Sequence, residues 1–212
     1  MGYLEFKNAF KNKFGIELDD KFERIYNMIQ NSKAPKFKPY HIESIHGYDG
    51  KAMAEPKYDG SNVPITNGGI FSHSMKQLDR GLAILLAKVY MDNPDLIETL
   101  LTMDVVTELY GQLNTPAGFH KSPNDPLIAI VVLEVFDDKA KTWLPPKDKY
   151  ALLEKMKLPY AKGVEVTYEE AEKLALAPET FEGVIVKALS DTIQCEKDNI
   201  SYNLCMGKIK KP

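Results

Sequence analysis

Lys57 is the residue in this sequence best placed to do chemistry. Tyr58 follows it, and then Asp59-Gly60, a pair that supplies a tight turn, so a primary amine stands where the chain reverses. An amine attacks phosphorus only when neutral, and the free lysine value of about 10.4 must then be depressed. Neighbouring cations do this. Lys208 and Lys210 are two residues apart and would share one face of a strand. Two ammonium groups there can bind a phosphate, disfavour a protonated Lys57 and stabilise charge in a transition state. Glu108 lies inside one apolar run and Glu182 opens another. Taken singly, each piece also reads as something ordinary: a hairpin corner, a charged edge strand, two solvated strand ends.

Helices and strands must both contribute to bring such residues together. Two short helical patterns open the chain. In the second, Phe22, Ile25, Tyr26 and Ile29 recur at helical spacing behind Asp19-Asp20, and Pro35 and Pro39 bracket an extended linker. Residues 52–58 read as a strand entering the turn. The runs Asn62 to Thr66 and Ile70 to Ser74 flank Asn67-Gly68-Gly69, a hairpin signal. An apolar helix is expected from Leu78 to Met91 and a shorter one after Pro94. Val105–Tyr110 and Ile128–Phe136 are strands. Thr167 with Glu170 is a capping box that opens a helix to about Leu176. Val184 to Val186 and the tail from Ile200 to Ile209 complete the strands. The irregular mixture implies an α+β fold with largely antiparallel sheets flanked by helices, with residues 1–40 as a helical segment packed on a main domain of 41–212. Neither a P-loop nor a dinucleotide fingerprint occurs.

Composition narrows the classes. The chain has 212 residues, 44% hydrophobic and 27% charged, which suits one compact domain or one with a small appendage. No apolar run reaches the roughly 18 residues of a membrane span, and the start lacks a secretory signal. Lys7 stands where a myristoylation signal has Ser or Thr. Cys195 and Cys205 are too few for a disulfide framework, and a reduced, cytoplasmic setting is the simpler expectation. The four histidines show no zinc spacing. With a formal charge of −3, any grip on nucleic acid must be local. Candidate patches are Lys33-Lys36-Lys38, Lys139-Lys141-Lys147-Lys149 and Lys208-Lys210-Lys211, each of which also reads as solvated surface.

Five pieces occur in order: Glu55-Pro56-Lys57-Tyr58-Asp59-Gly60-Ser61-Asn62, Glu108-Leu109-Tyr110-Gly111, the strand ending Val135-Phe136-Asp137, Glu182 to Lys187, and Met206 to Lys210. Together they resemble the motifs of the covalent nucleotidyltransferases, that is DNA ligases, RNA ligases and mRNA capping enzymes. The resemblance runs from Glu55 to Lys210 and implies an ATP-grasp-like adenylyltransferase domain that uses ATP with Mg²⁺ or Mn²⁺. It makes Lys57 the residue that becomes linked to AMP, with Lys208 and Lys210 on the α-phosphate. It places Asp59, Gly60 and Asn62 in the nucleotide-binding set, gives Glu108 a ribose contact, and has Glu182 hold the metal, directly or through water. Glu55 would accept a hydrogen bond from the adenine amino group, favouring ATP over GTP. Phe136 would stack on the base, although it reads equally well as core, and Leu133 takes the place where related RNA ligases often carry an aromatic.

The chain departs from the family pattern after the hairpin. Relatives usually carry an Arg there, whereas this sequence has His73 at the expected place, with Lys76 and Arg80 nearby. Asn62 stands where DNA ligases typically have Arg and resembles the RNA-ligase form, as does Glu108-Leu109-Tyr110-Gly111. Lys57-Tyr58-Asp59-Gly60 is the DNA-ligase spelling. The balance favours RNA as nucleic-acid partner over DNA. An OB-fold domain, usual after Lys210 in DNA ligases and capping enzymes, is not expected within this sequence. A minimal enzyme, a partner that supplies the clamp, or a domain beyond this sequence would each account for that. The alternatives to an RNA ligase are a nick-sealing DNA ligase and a non-catalytic nucleotide or nucleic-acid binding module. Oligomeric state is left open.

Overall fold

The computed structural model describes residues 2–32, 50–177, 181–189, 195–197, 200–202 and 206–211. The linker of Pro35 and Pro39, the patch Lys33-Lys36-Lys38, and Cys205 lie outside the described residues. In chain order the elements are α1 (Tyr3–Phe14), α2 (Phe22–Gln30), β1 (Ala52–Lys57), β2 (Gly60–Thr66), β3 (Gly69–Ile70), α3 (Arg80–Asp92), α4 (Pro94–Leu100), β4 (Asp104–Tyr110), β5 (Ala129–Asp137), β6 (Thr142–Trp143), α5 (Pro146–Lys155), β7 (Val164–Val166), α6 (Tyr168–Leu176), β8 (Gly183–Ala188), β9 (Cys195–Lys197), β10 (Ile200–Tyr202) and β11 (Met206–Lys210). The class is α+β. One sheet has five strands in the order β3-β2-β4-β5-β6, the other four in the order β11-β8-β1-β7, and β9 and β10 form a small hairpin. All the paired strands of the two main sheets run antiparallel.

The main core covers one face of the five-stranded sheet. Val63, Ile65, Val105, Leu109, Val132 and Val135 meet Phe6, Phe10, Phe22, Ile25, Leu86 and Ile97 from the first four helices. The opening helices are thus part of this core, as the spacing of Phe22, Ile25 and Ile29 predicts. The outer face of the four-stranded sheet, Ala52, Ala54, Val184 and Val186, packs on Ala171 and Ala175 of α6. Small residues here let the helix lie close. The two remaining sheet faces look toward each other, joined at one end by Val106, Trp143 and Met206 with Leu133, Phe136 and Ile185.

Some elements differ from the sequence reading. Helix α3 starts at Arg80, not Leu78, because the Asp79 side chain caps it by accepting the Leu82 amide at 3.1 Å. Helix α5, which the sequence reading did not include, begins on Pro145-Pro146, where a proline suits the first helical position. This overturns one basic patch. Lys149 faces inward from α5 and is fully buried, so Lys139, Lys141, Lys147 and Lys149 form no common surface.

Lys149 joins Glu55 (β1), Glu134 (β5) and Lys187 (β8), all at most 1% exposed, between the sheets. Lys149 Nζ donates to Glu55 Oε1 at 2.7 Å and to the Leu133 carbonyl at 2.6 Å. Lys187 donates to Glu55 Oε2 at 2.5 Å and pairs with Glu134. The Tyr150 hydroxyl gives Glu55 Oε1 a further bond at 2.6 Å. Burial opposes ionisation of Glu55, but Lys187 and Lys149 outweigh it and hold the carboxyl below its ordinary range. Burial likewise works against the Lys187 ammonium, and Glu134 and Glu55 more than offset it. Two acids and two bases balance, which is what makes their burial tolerable. Lys187→Met leaves two carboxylates with one cation. It should cost roughly 3–5 kcal/mol in urea unfolding, while Glu134→Gln combined with Lys187→Met should lose less. Equal losses would show that charge balance is not what the cluster supplies.

Candidate active site

The chain changes sheets at the turn that carries Lys57. Strand β1 ends at Lys57 in the four-stranded sheet, and β2 begins at Gly60 in the five-stranded one. Gly60 permits the crossing, since a Cβ there would lie 2.4 Å from the Leu109 carbonyl oxygen. Asp59 fixes the turn. Its carboxylate accepts the Thr115 hydroxyl at 2.5 Å, the Ala117 amide at 3.0 Å and the Phe119 amide at 3.1 Å. Burial pushes its pKa up, and these bonds outweigh that and hold it below the usual carboxylate value.

Strands β8 and β11 bring the charged partners. Lys57 pairs with Gly183 in the ladder, Gly183 with Lys210, and Ile185 with both Glu55 and Lys208, so these side chains share the inner face. Gly183 is required by close approach: φ is +156° and a Cβ would sit 2.0 Å from the Ile209 carbonyl oxygen. Glu182, next to it, bridges two cations, one oxygen on Lys57 and the other on Lys210. Burial pushes its pKa up, but the bonds from Lys210 and Lys57 more than offset this and lower it. Lys208 is exposed and lines the same cleft.

The opposite wall is polar. Asn62 and Glu108 are ladder partners on β2 and β4, and the Asn62 amide nitrogen donates to Glu108. The Asn62 carbonyl oxygen lies 3.1 Å from His73 Nδ1. His73 sits in a tight turn closed by Ser72 and Lys76, with Met75 at φ 58°. Burial pushes Glu108 up to about 7, against the bond from Asn62 and the charge of Lys57.

Between the walls lies a cleft of about 540 Å³. Lys57, Gly60, Asn62, His73, Glu108 and Lys208 line it, and Glu182 and Lys210 join it through their ion pairs. Three other expected residues neither line nor join it. Glu55 has both oxygens committed to the buried cluster, so its carboxylate is not free to read a base. Asp59 is turned into the 115–119 loop. Phe136 packs edge-on against Trp143 at 5.1 Å, and Leu133 and Ile185 supply the apolar floor instead. A bulge supplies Leu133: on β5, Val132 faces Thr107 and Glu134 faces Val106, so Leu133 is an extra residue, and Phe136 shares its side of the sheet but is taken up by Trp143. Lys76 and Arg80 are outside the lining, and Arg80 opens α3. Sequence reading did not single out Tyr58, Ser61, Ser72, Ser74 or Ile185, which also line the cleft.

Among the described residues no group of three or more His, Cys, Asp or Glu gathers as a ready-made metal site. The acids at the cleft are Glu182 and Glu108. Such a set suits a hard cation that keeps waters and takes phosphate oxygens, as Mg²⁺ and Mn²⁺ do. Among the described residues no helix is long and apolar enough to cross a membrane.

No family model matches the chain, and no curated protein matches its sequence. Solved structures do match its fold. One is a variant of Naegleria gruberi RNA ligase with ATP and Mn (13% identity, TM-score 0.51), covering 86% of this chain and 52% of that one. Another is an archaeal ATP-dependent RNA ligase (19%, 0.51), covering 83% of this chain and 47% of that one. A third is an Aquifex aeolicus protein described as an ATP-dependent DNA ligase (16%, 0.57), covering 81% of this chain and 49% of that one. This chain therefore shares the fold of those structures and spans about half the length of these three.

The geometry sets a pH dependence. Glu108 is near 7 in the fold against 4.5 when unfolded, so the folded protein binds this proton more tightly. The resulting stability is full below the unfolded value and is lost as pH rises through the folded one. Glu108→Gln removes that slope. The urea midpoint of the variant, relative to wild type, should therefore rise from about pH 5 to about pH 8. A difference independent of pH would assign the proton elsewhere.

Proposed function

We propose that this chain is the adenylyltransferase unit of an ATP-dependent polynucleotide ligase that acts on RNA in preference to DNA, with Lys57 as the residue that carries AMP. The observation that carries the reading is Lys57 at the mouth of the cleft, tied to Glu182, with Lys208 and Lys210 on the same sheet face. The shared fold and the ordered motifs support it.

In the first step the Lys57 amine attacks the α-phosphate of ATP. A nitrogen–phosphorus bond forms, the oxygen bond to the β-phosphate breaks, and pyrophosphate leaves. Lys208 and Lys210 meet the developing phosphate charge. Glu182 would hold Mg²⁺ or Mn²⁺, which supplies neutralisation of the leaving group when bound. Glu182 already pairs with Lys57 and Lys210, so a cation held there would compete with both lysines for its carboxylate. AMP then passes to a 5′-phosphate, and a 3′-hydroxyl displaces it to join the ends. Glu108 and Asn62 face the sugar side of the cleft. With Glu55 committed elsewhere, the preference for ATP rests on the resemblance and not on that carboxylate. A clamp supplied by a partner and a cytoplasmic setting belong to the same proposal. The DNA-ligase spelling Lys57-Tyr58-Asp59-Gly60 keeps nick sealing in DNA as a second reading, and intact Lys57, Glu182, Lys208 and Lys210 speak against a purely binding role.

Mass spectrometry of the protein incubated with ATP and Mg²⁺ should show one added AMP. Lys57→Ala and Lys57→Arg should both abolish it, because a guanidinium remains protonated and cannot attack. Glu182→Ala, Lys208→Ala and Lys210→Ala should each slow adenylation at least about 10²-fold with circular dichroism unchanged. An adduct of normal yield in Lys57→Ala would refute the mechanism. Substrate preference is read on preadenylated nicked duplexes that differ only in a ribose or deoxyribose 3′-end. The ribose-ended nick should seal faster. Equal or faster sealing of the DNA nick would promote the DNA reading and leave the Lys57 chemistry standing.

A further inference from the structure

We propose that His120 is a positioning residue for Lys57: through Nε2 it accepts the Asp59 amide proton and so locks the turn that presents the amine. The catalytic consequence rests on the function proposed above, whereas the lock itself is a property of the fold.

The lock is reciprocal. The loop between β4 and β5 gives three hydrogen bonds to the Asp59 carboxylate, from Thr115, Ala117 and Phe119. The Asp59 amide in turn donates to His120 Nε2 at 3.2 Å. The His120 amide donates to Thr115 Oγ1 at 3.0 Å, which ties the two ends of the loop segment together. Thus one residue, two places after Lys57, both gives to the loop and takes from it.

The ring is built in. His120 is 2% exposed. Tyr110, Tyr58 and Phe181 surround it at centroid distances of 5.1, 6.2 and 6.3 Å. Tyr58 adjoins Lys57 and Phe181 adjoins Glu182, so the cage touches both sides of the Lys57–Glu182 pair. Because Nε2 accepts, the neutral ring carries its proton on Nδ1. That buried nitrogen has no hydrogen-bond partner, and Asp125 Oδ1 lies 3.7 Å away.

The lock depends on Nε2 as an acceptor facing the buried Asp59 N–H. A side chain with no acceptor at that place leaves this amide unpaired and frees the turn that carries Lys57.

The test compares wild type, His120→Gln and His120→Ala. A glutamine carbonyl can accept the Asp59 proton, whereas alanine cannot. In ¹⁵N-labelled protein the Asp59 amide proton should stay near its wild-type position in His120→Gln and shift in His120→Ala. With ATP, His120→Gln should adenylate within about threefold of wild type, and His120→Ala should be slower by about tenfold or more in kcat, with KM for ATP within about twofold. An Asp59 signal unmoved in His120→Ala, or a His120→Gln as slow as His120→Ala, would each overturn the proposal. Asp59 signals that behave as expected in a protein that forms no AMP adduct would leave the lock standing and remove the ligase reading.

Discussion

The site depends on four charges that never meet solvent. Glu55, Glu134, Lys149 and Lys187 come from both sheets and from α5, and they fix the gap between the sheets. Two unpaired lysines or two unpaired acids there would be untenable, because the desolvation cost of each ion must be met by the others. The spacing has one consequence for function. Glu55 and Lys57 are on the same face of β1, two residues apart, so anchoring the first aims the second. The strand ends two residues beyond its deepest anchor, and there the amine emerges.

Polarity inside the gap is graded. At one end Val106, Trp143 and Met206 make a small apolar seal, with Leu133 and Ile185 forming the floor of the cleft beside it. At the mouth stand Lys57, Lys208 and Glu182. A ligand with an apolar ring at one end and phosphates at the other is oriented by that gradient alone, since its charged end is costly to bury at the floor. The net charge of −3 does not prevent this, because the cations are concentrated on β1 and β11 while the acids near them are already paired.

Much of this was legible in the sequence where the period was clean. The apolar spacing of α2, the capping box at Thr167 and Glu170, and the alternation of β4 all gave elements that the structure contains. Lys57, Asn62, Glu108 and Lys208 could be brought to one cleft because each sits on a strand whose facing follows from its ladder partner. What failed did so for local reasons. Leu133, the extra residue of the bulge, takes the floor of the cleft while Phe136 lies against Trp143, and no pattern in Ile128–Phe136 marks the bulge. Glu55 reads as a free carboxylate until Lys149 and Lys187, which lie 94 and 132 residues further on, close over it. His120 carries no signal at all, since its role comes from a loop folding back onto a turn.

Asn62 and Glu108, on the polar wall of the cleft, already have partners within the protein, and this constrains how a ligand can be chosen. Asn62 gives its amide to Glu108 and its carbonyl oxygen faces His73. Since that oxygen can only accept, His73 Nδ1 must carry the proton, which leaves Nε2 as the ring atom without a role in the chain of bonds. A sugar hydroxyl entering here cannot simply add a bond to Asn62. It must take over one of these contacts, by donating to Glu108 in place of the amide or by accepting from it. Glu108, near 7, stands between acid and carboxylate, so it can meet a hydroxyl in either sense. A deoxyribose has no 2′-hydroxyl to make that exchange. Discrimination between the two sugars would then arise from an internal bond broken and replaced or broken and lost, which separates them more sharply than one added contact.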